Sequence, residues 1–170
     1  SWISMGGMSG ADGAVNAVVV DGSGNLYVGG DFTVVGELMA NHIVKWDGSA
    51  WTTLGSGLNG TVKALAVSGT DLYVGGGFTT AGGNAANYVA KWNGSEWTAL
   101  GSGLDSAVYT LAVSGTDLYV GGNFATAGGN TVNFVAKWNG SAWSALGSGV
   151  NNRVYALAVL GTDLYAGGYF

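Results

Sequence analysis

The run VKALAVSG, at residues 62–69, is largely apolar in the alternating, β-branched manner of a strand and ends in a turn. A second apolar run, DLYVGG at 71–76, follows directly, with Ser-Gly-Thr-Asp as the hairpin signal between them. A longer polar and glycine-rich segment, GFTTAGGNAAN, leads to YVAKW at 88–92, then to Asn-Gly, then to SEWTALG at 95–101. These predict four short strands, here called a, b, c and d. Asn-Gly reads as a two-residue hairpin turn between c and d, with positive φ at both residues. No stretch sustains an apolar period of 3.6, so essentially no helix is expected.

The same unit recurs. SGTDLYVGG stands at 68–76 and again at 114–122, LGTDLYAGG at 160–168, and the looser GSGNLYVGG at 22–30. Residues 45–90 and 91–136 match at most positions without a gap, a period of 46 residues. A period of this size means a solenoid, a propeller or an array. A four-stranded antiparallel unit that is apolar on both faces needs neighbours to cover it. Trp92 and Trp97, like Trp46 with Trp51 and Trp138 with Trp143, fall on one face of their sheets and are read as packing between sheets. Radial stacking of such units gives an all-β fold, a β-propeller of four-stranded antiparallel blades.

The strand b ending in Gly29 and Gly30, Gly75 and Gly76, Gly121 and Gly122, or Gly167 and Gly168, followed by an aromatic and a downstream Trp pair, resembles the kelch repeat. The fuller wording is similar to repeats of the cortical marker for cell polarity family and of bacterial surface proteins. The resemblance implies the propeller fold and leaves function open, because propellers host many activities. The expected division is a single domain over 1–170. It comprises an N-terminal strand d at 1–7, units at about 14–57, 61–103 and 107–149, and a partial unit at 153–170. That makes about four blades with an incomplete last one. Three arrangements remain open: a short closed ring, a piece of a longer array, or a blade completed by another chain. An unpaired strand b would be an edge prone to association.

Composition narrows the class. Glycine is abundant at 33 residues and proline absent, yet 48% of residues are hydrophobic and only 9% charged, which excludes a disordered chain. Without proline or a three-residue period the glycines are not collagenous. The net charge of −5 and five scattered basic residues argue against a nucleic-acid partner. Apolar runs are too short to span a bilayer, so no membrane insertion is expected. The chain has no cysteine, which removes disulfides and thiolate chemistry. It begins at Ser1 without Met or a signal peptide, as a processed protein or a piece of a longer one would. Low charge with many Gly, Ser, Thr and Asn suits an extracellular or surface protein.

Candidate catalytic groups are few, and no cofactor or metal is expected. His42, the single histidine, occupies the position of Tyr88 and Phe134 and reads as a packed ring. Asp71, Asp117 and Asp163 recur at one hairpin position and read as turn caps. Asp21, Ser23 and Asn25 resemble the start of a calcium loop but lack its distal Glu, and read as a longer a–b turn. Asn59, Asn93 and Asn139 head glycosylation sequons. The TAGGN loops lack the Lys and helix of a phosphate loop.

The copies differ most in the d–a and b–c loops, which emerge on the same side of an up-and-down blade. Asn16, Lys63, Tyr109 and Tyr155 share one position at the start of strand a; Asp31, Asn123 and Tyr169 share another in the b–c loop; Asp105 and Arg153 lie in d–a loops. These residues form the candidate binding rim around the channel mouth. The leading expectation is a non-enzymatic extracellular or surface module that binds a protein or glycan there. One alternative is a structural, self-assembling protein whose incomplete blade pairs with copies of itself. Another is an enzyme using Asp31, Lys63, Asp105 and Arg153 as its charged set.

Overall fold

The computed structural model describes residues 10–170, and the expected strand at 1–7 lies outside them. The first blade holds β1 (Val15–Val20), β2 (Leu26–Gly30), β3 (Val34–Val35), β4 (Leu38–Met39), β5 (Ile43–Trp46) and β6 (Trp51–Thr53). The second holds β7 (Val62–Ser68), β8 (Asp71–Gly76), β9 (Thr80–Ala81), β10 (Asn84–Ala85), β11 (Val89–Trp92) and β12 (Trp97–Ala99). The third holds β13 (Val108–Ser114), β14 (Asp117–Gly122), β15 (Thr126–Ala127), β16 (Asn130–Thr131), β17 (Val135–Trp138) and β18 (Trp143–Ala145). Then come β19 (Val154–Leu160) and β20 (Asp163–Gly168). Every element among the described residues is a strand, as the pattern required. Strands a to d form one antiparallel four-stranded sheet in each of the three blades, while β19 and β20 form a two-stranded sheet.

Three local expectations need correction. The b–c segment is not an unstructured loop: it folds into a two-stranded ribbon in each blade, β3–β4, β9–β10 and β15–β16. The ribbon is docked by the preceding d–a loop, through bridges such as Leu58 to Ala81 and Leu104 to Ala127.

The c–d turn is centred one residue later than the Asn-Gly signal. Trp92 pairs with Trp97, and the Asn93 amide bonds the Glu96 carbonyl at 3.2 Å, leaving Gly94 and Ser95 at the tip. Only Gly94 has positive φ, at 101°. Asn93 instead uses its side-chain oxygen to accept the amides of Ser95 and Glu96, both at 2.9 Å. A side-chain cap replaces the conformational role expected of this Asn.

Asp71 and Asp117 do not cap their a–b turns. They accept the ammonium groups of Lys91 at 2.9 Å and Lys137 at 3.1 Å, across strands b and c. The strand register decides this, because Tyr73 opposite Lys91 leaves the long lysine free to reach along the sheet to Asp71. The bond to Asp71 holds Lys91 above the ordinary lysine range.

The turn of the first blade carries Asp47 where the others carry Asn93 and Asn139. Hydrogen bonds from the Ala50 amide, then from the Ser49 side chain and amide, lower its carboxyl from 3.8 to about 2. A carboxylate depressed by folding stabilises above its unfolded pKa, and that contribution is lost as pH falls through the folded value. Asp47→Asn should keep the same cap at neutral pH. It should also remove part of the loss of melting temperature expected between pH 3.8 and about 2. A melting series against pH on both chains checks this.

The two glycines of each strand b do different work. The first seats the next blade. A methyl on Gly29 would overlap Val62 Cγ1, one on Gly75 would overlap Val108 Cγ1, and one on Gly121 would press on Val154 at 2.6 Å. The second lies against its own blade. A methyl on Gly30, Gly76, Gly122 or Gly168 would overlap the carbonyl oxygen of Ala14, Thr61, Ala107 or Arg153, respectively. The seam between blades therefore sets Val62, Leu65 and Val67 on Tyr27 and Gly29, and repeats this one blade on. The tryptophans behave as read. Their pairs lie at 5.2–5.3 Å between ring centroids, and the Trp97 and Trp143 indoles donate to Leu54 and Leu100 carbonyls of the preceding blade, both at 2.8 Å.

The innermost strands pack in series: β1 on β7, β7 on β13, β13 on β19. No comparable packing returns from β19 to β1. The valine that seats each later blade is fully buried at Val62, Val108 and Val154, whereas Val15 is 49% exposed.

Candidate functional site: the channel mouth

Each strand a begins with a β-bulge. Val62 pairs with Gly76 and Ala64 with Gly75, so Lys63 is the extra residue. The same shift makes Asn16, Tyr109 and Tyr155 the bulged residues of the other sheets. A bulge re-aims the side chain of its extra residue. The position that varies between copies is thus the one the backbone pushes out of the ladder.

Several of the expected rim residues meet. Tyr109 and Tyr155 stack in parallel, with ring centroids 5.1 Å apart and planes within 1°. Tyr169 meets Tyr155 nearly edge-on at 5.3 Å. Lys63 Nζ lies 5.6 Å above the Tyr109 ring, a cation–π distance. Arg153 Nε donates to Asn123 Oδ1 at 2.8 Å, and the phenols of Tyr155 and then Tyr109 raise the arginine's pKa. The result is one row across successive blades: Lys63, Tyr109, Tyr155, Tyr169, flanked by Arg153 and Asn123. Stacking occupies one face each of Tyr109 and Tyr155, while Tyr169 is 74% exposed, so the row offers outward the Tyr169 ring, phenol hydroxyls and the two cations.

The other expected residues are spent on the scaffold. The Asn16 amide donates to the Val62 carbonyl at 2.9 Å and ties the first bulge to the second. Asp31 Oδ1 accepts the Thr61 hydroxyl at 2.7 Å, linking a b–c loop to the next strand a. Asp105 Oδ1 accepts the Ala125 and Thr126 amides at 2.9 and 3.1 Å. Asn59 does the same for Thr79 and Thr80, and Asp12 for Thr33 and Val34. These acids and amides pin the ribbons. Spacing hides this, because the residues they hold lie 20 to 22 positions away.

One latch was missed altogether. Asn41, Asn87 and Asn133 donate from their side chains to the Ser56, Ser102 and Ser148 carbonyls at 2.9–3.0 Å. The residue after each, His42, Tyr88 or Phe134, has φ of 67–72°. Its amide bonds the phenylalanine carbonyl ten residues earlier, and its carbonyl accepts the amide of the second glycine of strand b. These two bonds hold a left-handed conformation that is costly for a ring-bearing residue. The recurrence of Asn at 41, 87 and 133 was the available signal.

His42 is half-buried, with Nδ1 3.3 Å from the Gly30 carbonyl. Asp21 is consumed by its own turn. Partial burial would raise its pKa, but bonds from the Asn25 side chain and the Asn25 and Ser23 amides outweigh that and lower it. No group of acids and histidine suited to a metal ion occurs among the described residues. An open cavity of about 600 Å³ beside Asn133, Val150 and Phe170 corresponds to the space that the ribbons fill in the earlier blades.

Sheets of four antiparallel strands, packed face to face through a repeating seam around inner strands, define a β-propeller. Residues 4–164 match the family described as the Rax2 C-terminal beta propeller domain, and the chain belongs to that family. The resemblance to the cortical marker for cell polarity family is thereby borne out. Among solved structures, the computationally designed Ika4 protein is similar in fold, with a TM-score of 0.62 at 17% identity. The match covers 94% of this chain and 88% of that one. The computationally designed Ika8 protein matches at a TM-score of 0.47 and 15% identity, over 92% of this chain and 57% of its own. Among curated proteins, none matches.

Proposed function

We propose that this chain is a non-enzymatic, extracellular or surface-exposed binding module. It engages a protein or glycan at the channel mouth through an anionic group on that ligand. The observation that carries this is the fate of the rim charges. Asp31 and Asp105 are bound up in loop contacts, whereas Lys63 and Arg153 face a row of tyrosines and have no carboxylate partner among the described residues. The rim thus presents two cations beside phenols with no carboxylate in direct contact with either, while its acids are turned into loop hydrogen bonds. Phenol hydroxyls and cations together suit carboxylate or sulfate groups better than neutral sugar faces.

Calorimetric titration at low salt with a poly-glutamate peptide and with a uronic-acid oligosaccharide tests this. One of them should bind, more weakly as salt rises. The double variant Tyr155→Ala, Arg153→Ala should reduce affinity about tenfold or more, roughly 1.4 kcal/mol. Equal failure of both probes, or binding that survives the double change, rejects the reading.

A further inference from the structure

We infer that the crevice between the first and second blades, beside Trp92 and Trp97, binds the trimethylammonium group of a small molecule such as choline. The d–a loop of the first blade contributes Gly55 to it. The ribbon of the second blade contributes Gly82 and Asn84, and the c–d hairpin contributes Trp92, Glu96 and Trp97. The open space is about 220 Å³, suited to one small group rather than a drug-sized ligand. None of the rim residues lines it.

The two indoles form an aromatic wall, with centroids 5.3 Å apart and planes tilted by 53°. Trp92 is buried but Trp97 only half-buried. Glycine keeps the space before them clear: a methyl on Gly55 would touch both indoles at 3.6 Å, and one on Gly82 would press on Trp97 Cδ1 at 2.8 Å. The one charge is Glu96. Its carboxylate meets only the Asn93 side-chain amide, at 3.5 Å, and has no cationic partner among the described residues. A primary ammonium would need several acceptors. Nearby carbonyls already accept bonds: Leu54 from the Trp97 indole, Ser56 from the Asn41 side chain and Gly57 from the Gly82 amide. A trimethylammonium group donates no hydrogen bond. It requires aromatic surface and a nearby negative charge, which the indoles and Glu96 supply.

The third blade repeats this hairpin without the charge. Ala142 stands in the place of Glu96, as Ala50 does in the first blade, and Trp143 is only 7% exposed. The turn itself is unchanged: Asn139 accepts the Ser141 and Ala142 amides at 3.0 and 2.9 Å, as Asn93 does for Ser95 and Glu96. The fold therefore does not require Glu96, and replacing it tests the site rather than the turn.

Proton–nitrogen correlation spectra of the chain, titrated with choline chloride against sodium chloride at constant ionic strength, test this. The indole signals of Trp92 and Trp97 should shift and saturate, while those of Trp138 and Trp143 stay in place. Glu96→Gln and Glu96→Ala should each weaken binding by about fivefold, the scale of an exposed charge contact, and leave the melting temperature unchanged. Dimethylbutanol, the uncharged carbon isostere of choline, should bind more weakly than choline. Absence of a saturable shift up to about 0.1 M choline overturns the inference, since even a millimolar site would then be filled. So does equal binding of the neutral isostere, or unchanged affinity in both Glu96 variants. The double change Tyr155→Ala, Arg153→Ala should leave the choline shifts as they are, which separates this site from the rim.

Discussion

Gly76→Ala should be among the most damaging single-methyl changes in this protein, and Gly167→Ala among the least, although both glycines belong to the same repeated pair. A methyl on Gly76 meets the Thr61 carbonyl oxygen, and its two next contacts are also backbone or α-carbon atoms of strand a. No side chain can move aside there, so the bulge that starts β7 must be forced away from β8. A loss on the order of 4 kcal/mol is expected, in the range of changes that break buried backbone geometry. Gly75→Ala meets the Val108 side chain, which is fully buried and already seated, and should cost about 1–3 kcal/mol as overpacking. Gly168→Ala should behave like Gly76→Ala, because the Arg153 carbonyl lies equally close. Gly167→Ala should leave stability unchanged in dilute solution. Thermal melts of the four variants check the order, at about 2–4 °C per kcal/mol for a domain of this size. Equal effects at 75 and 167 would contradict the claim that the first glycine matters only where a following blade is seated on it, and equal effects at 167 and 168 would contradict the division of labour between the two glycines.

Phe78→Ala should lower stability by about 3–5 kcal/mol, the usual consequence of emptying a large buried aromatic site. Phe32, Phe78 and Phe124 are the largest fully buried side chains, at 0%, 1% and 0% exposure. Each stands just after the double glycine, where the ribbon leaves the sheet, and its carbonyl accepts the amide of His42, Tyr88 or Phe134. Its loss removes the core under the ribbon, on which the placement of that carbonyl depends. Phe170 occupies the same repeat position but is 48% exposed, so Phe170→Ala should cost little. Chemical denaturation of the two variants side by side measures the contrast. Similar midpoints would mean that the ribbons contribute little to the stability of the blades.

Much of the fold was legible because the chain repeats itself. The strand order, the a–b and c–d hairpins and the tryptophan pairing all follow from local alternation and turn signals, read four times over for the a–b hairpin and three times for the rest. The turn chemistry was less legible. Asn93 and Asn139 cap their turns through side-chain oxygens bonded to amides only three residues on, so the side chain and not the backbone conformation fits them to the turn. Asp71 and Asp117 pair with lysines because the register brings together groups 20 residues apart. Of the rim, Lys63, Tyr109, Tyr155, Tyr169, Asn123 and Arg153 do assemble, and comparing the copies was enough to select them. Asn16, Asp31 and Asp105 vary in the same way but hold the scaffold. Variation between copies shows where the framework tolerates change, not what a side chain touches.

The sequence by itself determined the blade. Period-two alternation, the repeat length and the paired glycines are local or periodic properties, and each strand needs only its neighbours to form. What the tertiary structure alone decided is which copy of each residue has a partner. Gly75 and Gly167, Val62 and Val15, Phe78 and Phe170 are the same letters at the same repeat position. One of each pair is buried and the other exposed, because burial depends on the blade packed against it. That neighbour is absent from any local window of the chain.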